Sequence, residues 1–336
     1  MKSSLIYSYQ VEYGDGYRTF AESLVQMELA EKCGFDMALI SEHHLVENGY
    51  FPAPFVTLGA VAVRTRKLRL APGIIILPLY DPLHVAEHGA VLDVISGGRF
   101  TLGVGQGYRK EEFDAFHVPL RDRAGRMREE VEVIRALWTK PTVDYSGQRF
   151  NYRNVMLRPQ PKQKPAPPIW VAAKKKSAVE LAAEVGDAWF ADPITPLEVL
   201  KQRLADYNAA LKRHSKPTSG VEFPLMREVY CAESDEQAWA EARDPMLYVY
   251  QEYLDWGHMQ DEQGNPVLPG DKGALEMLRK RFIVGSPETC VRECRKYQHE
   301  FGATNMIMRM KFPGLAHERV LNSIKLWSEK VMPHIQ

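Results

Sequence analysis

Glu42, His43 and His44 form the densest acid–base grouping in this 336-residue chain. Imidazole titrates near neutral pH, so two histidines beside a carboxylate suit proton transfer. The three follow the apolar run Met37-Ala38-Leu39-Ile40, which reads as a buried strand. They stand at or just past its carboxyl end, where parallel α/β sheets and barrels present loop side chains to a ligand. A polar surface loop is the plain alternative.

A second group is Gly103-Val104-Gly105-Gln106-Gly107-Tyr108, closing another strand-like run. Its glycines let backbone approach a flat or phosphorylated ligand. The spacing is GxGxG, not the GxGxxG of a dinucleotide-binding turn. A third segment, Trp170 to Ser177, carries Ala172, Ala173 and the run Lys174-Lys175-Lys176 from a strand straight into a helix. Amides of residues 174–178, through Ser177 and Ala178, together with one or more lysines, are expected to hold a phosphate. A solvated basic run explains the same residues.

His84-Val85-Ala86-Glu87-His88 matches HxxEH, which sets two histidines on one helix face for zinc. That alternative needs a third ligand, for which Glu129 or Glu130 is available. Gly73, ahead of Ile74 in an apolar run, marks a bulge or a close ligand approach, or else a plain strand kink. No GxSxG and no convincing serine or cysteine nucleophile arrangement is present.

The elements that must position these groups alternate almost throughout. Strands are expected at 4–9, 37–42, 68–77, 99–105, 168–172, 187–192, 222–231 and 304–310. Helices are expected at 18–33, 83–95, 122–138, 177–185, 196–214, 235–253, 287–301 and 316–331. Eight strands alternating with helices, without a composition break, predict one (β/α)8 TIM barrel spanning 1–336. A doubly wound open sheet is the runner-up. Two stretches exceed ordinary connections and read as insertions, about 140–167 with a small hairpin at 145–150, and 254–283.

Composition excludes several classes. Hydrophobic residues make up 45% of the chain, ample for a core, and no apolar run approaches the ~20 residues of a membrane helix. Lysine plus arginine equals aspartate plus glutamate at 43 each, so no global field attracts nucleic acid. Cys33, Cys231, Cys290 and Cys294 contain no CxxC pair and do not make a zinc site alone. With no signal-peptide pattern at the start, a reduced, cytoplasmic protein with no membrane partner is expected.

Taken in order, these segments resemble the luciferase-like flavin-dependent monooxygenases. The resemblance is carried by the Glu-His-His tract with Glu47 and Gly49 after it, and by ILPLYDPLHVAEHGAVLDVISGGRFTLGVGQGYRKEEF. It continues in PIWVAAKKKSAVELAAEVGD and the closing ERVLNSIKLWSEKVMP, so it spans nearly the whole chain. It implies a TIM barrel with flavin at its C-terminal mouth.

Residue by residue, the resemblance makes His44 the acid or base beside the flavin, with His43 and Glu42 as its neighbours. Gly73 and Ile74 match a strand where the family often has a non-prolyl cis bond beside the ring. Glu87 matches an acidic position close to the flavin, which gives HVAEH a flavin reading in place of zinc. The segments Gly105, Gln106, Gly107, Tyr108 and Lys174 to Ala178 match those holding the phosphate, and Arg123 aligns with an arginine of similar role. Gly105 and Gln106 stand where bacterial luciferase has cysteine and arginine, so Lys174 or Lys175 is expected to replace one phosphate contact. Light emission does not follow.

The implied activity is oxidation of a small organic substrate with reduced FMN and O2, the flavin coming from a separate reductase. A homodimer is implied, paired through barrel helices such as 83–95 and 122–138. A deazaflavin-dependent hydride-transfer enzyme is the rival cofactor reading, and a non-catalytic flavin-binding protein is the rival without chemistry.

Overall fold

The computed structural model describes residues 1–10, 16–257, 259, 261, 267 and 273–336. Much of the insertion expected at 254–283 lies outside these described residues. The first strands are β1 (Lys2–Tyr7), β2 (Met37–Ile40), β3 (Arg69–Pro72), β4 (Ile75–Ile76), β5 (Leu102–Gly105) and β6 (Val143–Ser146). Then come β7 (Asn151–Val155), β8 (Ile169–Ala173), β9 (Ala188–Ala191), β10 (Pro224–Cys231), β11 (Ile283–Gly285) and β12 (Asn305–Arg309). The helices begin with α1 (Gly16–Lys32), α2 (Pro54–Arg64), α3 (Pro82–Ser96), α4 (Lys110–Ala115), α5 (Arg123–Thr139) and α6 (Lys176–Val185). They continue as α7 (Leu197–Arg213), α8 (Asp235–Asp255), α9 (Ala274–Arg279), α10 (Pro287–Glu300) and α11 (His317–Leu326).

Parallel pairing runs β3-β2-β1-β12-β10-β9-β8-β5-β4. β3 and β4 are consecutive halves of one strand. The first half pairs with β2 and the second with β5, and a bridge from Leu70 to Phe100 draws the ring together. Counted as one, they complete an eight-stranded barrel with helices outside, as the alternation predicts. Side-chain direction alternates along each strand. Ile6, Met37, Leu39, Trp170, Phe190 and Ile307 fill the barrel, while Leu5, Tyr7, Ala38 and Ile40 face the helices.

Each of the eight expected strands overlaps a strand of this ring, with one correction. The expected 68–77 strand breaks at Gly73-Ile74, where the peptide is cis. A Cβ on Gly73 would lie 2.9 Å from both Ile6 and Leu39, so glycine there permits close packing at the barrel top. α2 and α4 were not expected; α2 opens at Pro54, which suits a first helical turn. The hairpin near 145–150 is β6–β7, paired Tyr145 to Tyr152. α6 starts one residue before the expected 177, with Lys175 at the cap and no side-chain cap bond, and Gly186 ends it with extended backbone. Ser286 caps α10, accepting from the Thr289 amide. Among the described residues no helix is long and apolar enough to cross a membrane.

Candidate active site

The strand ends converge on one cavity of about 670 Å³, within the range of cofactor sites. Its wall takes Glu42 and His43 from the end of β2, Gly73 and Ile74 from the strand break, and Gly105 to Tyr108 from the end of β5. Ala172 to Lys175, Ser177 and Ala178 come from the β8–α6 junction, and Arg123 from the start of α5. Fifteen of the eighteen residues singled out in the sequence thus share one surface, because every one of them follows or ends a barrel strand or opens a helix at the same mouth.

Three do not reach it. His44 is turned away: its Nε2 lies 2.7 Å from Glu42 Oε1 and its ring packs 4.7 Å from Phe116. Of the paired histidines, the one that lines the cavity is His43, held by Glu112. Glu87 sits on the solvent side of α3 and is exposed. Lys176 is exposed as well and pairs with Asp206 at 3.1 Å.

Around His43 the geometry is specific. Its Nδ1 lies 2.9 Å from Glu112 Oε1, and its Nε2 is 3.5 Å from the Tyr108 hydroxyl. Burial pushes the Glu112 carboxyl upward, but hydrogen bonds from His43 and the His44 amide, with the Arg109 charge, hold it below the usual carboxylate range. An ionised carboxylate only accepts, so Nδ1 carries the hydrogen and Nε2 is left to exchange a proton on the cavity side. Tyr50 and Trp256 pack on the same ring at 4.8 and 5.1 Å. Arg109 lies 4.5 Å over Trp256 and donates to the His44 carbonyl, tying α4 to the β2 end.

Glu42 is buried beneath, accepting from the Ile76 amide at 2.6 Å, from His44 and from the Tyr80 hydroxyl. It braces the broken strand against the β2 end. At the opposite wall, Lys174 is mostly buried, and burial lowers its ammonium although Asp192 pulls the other way. The first amides of α6 have no acceptor within the helix and open toward the same place.

The sequence reading missed Glu112, Arg109, Tyr50, Tyr253, Trp256, Met226, Asp192 and Arg309. Arg309 had a signal: it is the charged residue in the otherwise apolar run Met306-Ile307-Met308-Arg309-Met310. Glu112 had none, since nothing local ties it to His43. The zinc alternative lacks its third ligand: among the described residues no group of three candidate ligands forms. Glu129 is bound to Arg149 at 2.7 Å, and Glu130 lies 3.2 Å from Arg126.

Comparison with known proteins agrees with this arrangement. The chain is 27% identical, over 94% of its length and 89% of the relative's, to the oxygenase component of the flavin-dependent trigonelline monooxygenase of Acinetobacter baylyi. Its fold matches the monooxygenase RslO1 from Streptomyces bottropensis with a TM-score of 0.89 at 26% identity, both chains fully covered. It also matches the FMN-bound oxygenating constituent of 3,6-diketocamphane monooxygenase from Pseudomonas putida, TM-score 0.85 at 22% identity, covering 100% of this chain and 99% of that one. The family model of the luciferase-like monooxygenases matches residues 1–305. With nine-tenths of the chain so matched, this protein belongs to the luciferase-like monooxygenase family, and is a flavin-dependent monooxygenase on a (β/α)8 barrel.

Proposed function

We propose that this chain is the oxygenase of a two-component system, taking reduced FMN from a separate reductase and using O2 to oxidise a small organic molecule. The relative from Acinetobacter baylyi, itself named an oxygenase component, supports the reductase. The observation that carries the reading is the make-up of the cavity wall: Lys174, Lys175, Arg123 and the start of α6 share it with apolar side chains and with His43, whose Nδ1 is held by Glu112.

The residues fit FMN. Lys174, Lys175, Arg123 and the α6 amides make a phosphate cradle. Ile6, Ile74, Ile76, Ala172 and Met226 give a flat ring apolar walls. A Cβ on Gly105 would lie 2.8 Å from Ile74, so glycine keeps this floor low enough for a ring to lie on it. Reduced FMN, when bound, supplies the electrons that let dioxygen place one oxygen atom on the substrate and release the other as water.

The chain's own part is to exclude water and manage protons. The apolar wall with Trp256 and Tyr253 shields the reacting atoms. His43 Nε2 gives or takes a proton, and Glu112 holds the imidazole in the tautomer that frees it. His44 and Glu42 keep the loop in place.

A homodimer fits the surface. Val56 and Val63 on α2, with Val91, Val94 and Ile95 on α3, are exposed apolar residues at spacings that share one face of each helix. α2 and α3 pack side by side, so the two faces adjoin. This moves the pairing surface from the α3–α5 pair expected from sequence to α2–α3.

The test is anaerobic mixing of the purified chain with photoreduced FMN, followed by air and candidate substrates. Oxygen-dependent product with added reductase supports the proposal. Equal turnover with NADPH alone and no flavin refutes it.

A further inference from the structure

Arg309 ends β12 with 2% of its surface exposed, and it lines the cavity. Its Nη2 donates to the Tyr253 hydroxyl at 3.3 Å, while Nη1 stands 3.6 Å from Glu228 Oε1. Neither Nε nor Nη1 has a hydrogen-bond partner among the described residues. Leaving such donors unmade inside a protein is costly.

Among the described residues, the cavity wall offers Arg309 no free carboxylate. Glu42 is engaged by Ile76, His44 and Tyr80, and Asp192 by the amides of Ile194 and Thr195 and the Thr195 hydroxyl. Glu228, beside it in register on β10, accepts instead from the Tyr250 hydroxyl at 2.8 Å. Burial pushes the Glu228 carboxyl upward, the nearby Arg309 charge opposes it, and the two groups stand 3.6 Å apart without a hydrogen bond to Nη1. Arg309 also stands three strands around the ring from β8, where Lys174 and Lys175 follow. It is therefore separate from the phosphate cradle.

Resting on the flavin reading above, we propose that Arg309 and Tyr253 form a second anion subsite, which takes the carboxylate of a small planar substrate. A guanidinium matches a carboxylate in shape and charge better than any other side chain does. Planarity follows from the same cavity wall: Tyr50 packs edge to face on His43, Trp256 lies tilted against that ring, and aromatic walls favour a flat ligand. Seated there, the substrate's ring would lie between the guanidinium and the flavin floor near Ile74.

The experiment is titration of the FMN-loaded protein with benzoate, benzamide and benzyl alcohol as probes, read by tryptophan fluorescence and calorimetry. Benzoate should bind at least about tenfold more tightly than either neutral probe, the ratio a charge-assisted hydrogen bond supplies. Arg309→Gln should erase that preference and Arg309→Lys keep part of it, with FMN affinity within about twofold of the parent in both. Equal binding of benzoate and benzamide to the unaltered protein overturns the inference without needing any variant. So does an Arg309→Lys protein that loses FMN and keeps benzoate, since Arg309 would then serve the flavin. If the unaltered protein binds no FMN, the flavin reading falls and takes this subsite with it. FMN binding without a carboxylate preference removes the subsite alone.

Discussion

His43 Nδ1 lies 2.9 Å from Glu112 Oε1, across 69 residues of chain, and this contact holds the one of the paired histidines that lines the cavity. The carboxylate fixes the imidazole tautomer and leaves Nε2 toward the ligand. His43→Ala should lower turnover by about 10²–10⁴-fold, well beyond the effect of the about 1–3 kcal/mol of stability lost as buried Glu112 gives up a donor. Glu112→Gln should retain the fold and FMN binding yet shift the pH profile of turnover, as expected of a positioning residue. His44→Ala should act mainly on stability. It strips a donor from buried Glu42, costing about 1–3 kcal/mol of stability, with a smaller effect on rate. Steady-state kinetics and thermal melts on the three variants check this, and a His44→Ala protein that folds normally but turns over no substrate contradicts it.

Lys174 should make flavin binding pH-dependent. Burial lowers its ammonium from the ordinary lysine range, so the charge on the phosphate cradle is lost at lower pH than for a surface lysine. FMN affinity should fall as pH rises toward 10, whereas riboflavin affinity should stay flat. Lys174→Ala should weaken FMN by about tenfold or more and remove the trend. If Lys174→Ala and Lys175→Ala both bind FMN normally, the α6 amides alone hold the phosphate.

Barrel order and mouth position were legible in the sequence because short apolar runs and strand-end glycines are local signals. The eight runs from 4–9 to 304–310 needed no knowledge of distant contacts. What could not be read was direction. Whether His43 or His44 faces inward depends on how the chain leaves β2, and on Glu112 arriving from α4 to hold one of them. Glu87 failed for the complementary reason: it lies in a matching block, but helix rotation turns it to solvent. Arg309 was visible as a charge in an apolar strand and carried no hint of its role until Glu228 and Tyr253 were seen beside it.

Glu130 should give the fold a characteristic pH dependence. It is fully buried on α5, with Arg126 Nη2 3.2 Å from Oε1 and no hydrogen-bond partner for Oε2 among the described residues. Burial pushes its carboxyl up to about 9, against the pull of Arg126. Below about 4.5 both folded and unfolded chains hold the proton. Between there and about 9 only the folded chain does, so stability falls with rising pH by about 1.4 kcal/mol per unit at most. Glu130→Gln should flatten that slope and raise the melting temperature at pH 8 more than at pH 5. An identical slope in the variant means that Glu130 is ionised in the folded protein.

Association should depend on the α2–α3 face. Sedimentation at micromolar concentration should show a dimer, and Val91→Lys with Ile95→Lys should yield monomer with an intact barrel by circular dichroism. A monomeric parent protein removes the proposed interface.

The central claim is that this cavity is a reduced-FMN site, and anaerobic equilibrium titration with photoreduced FMN tests it most directly. The account predicts one reduced FMN bound per chain, with reduced riboflavin at least about tenfold weaker because it lacks the phosphate held by the α6 amides and Lys174. No saturable binding of reduced FMN, or tighter binding of a deazaflavin cofactor in the same cavity, contradicts it.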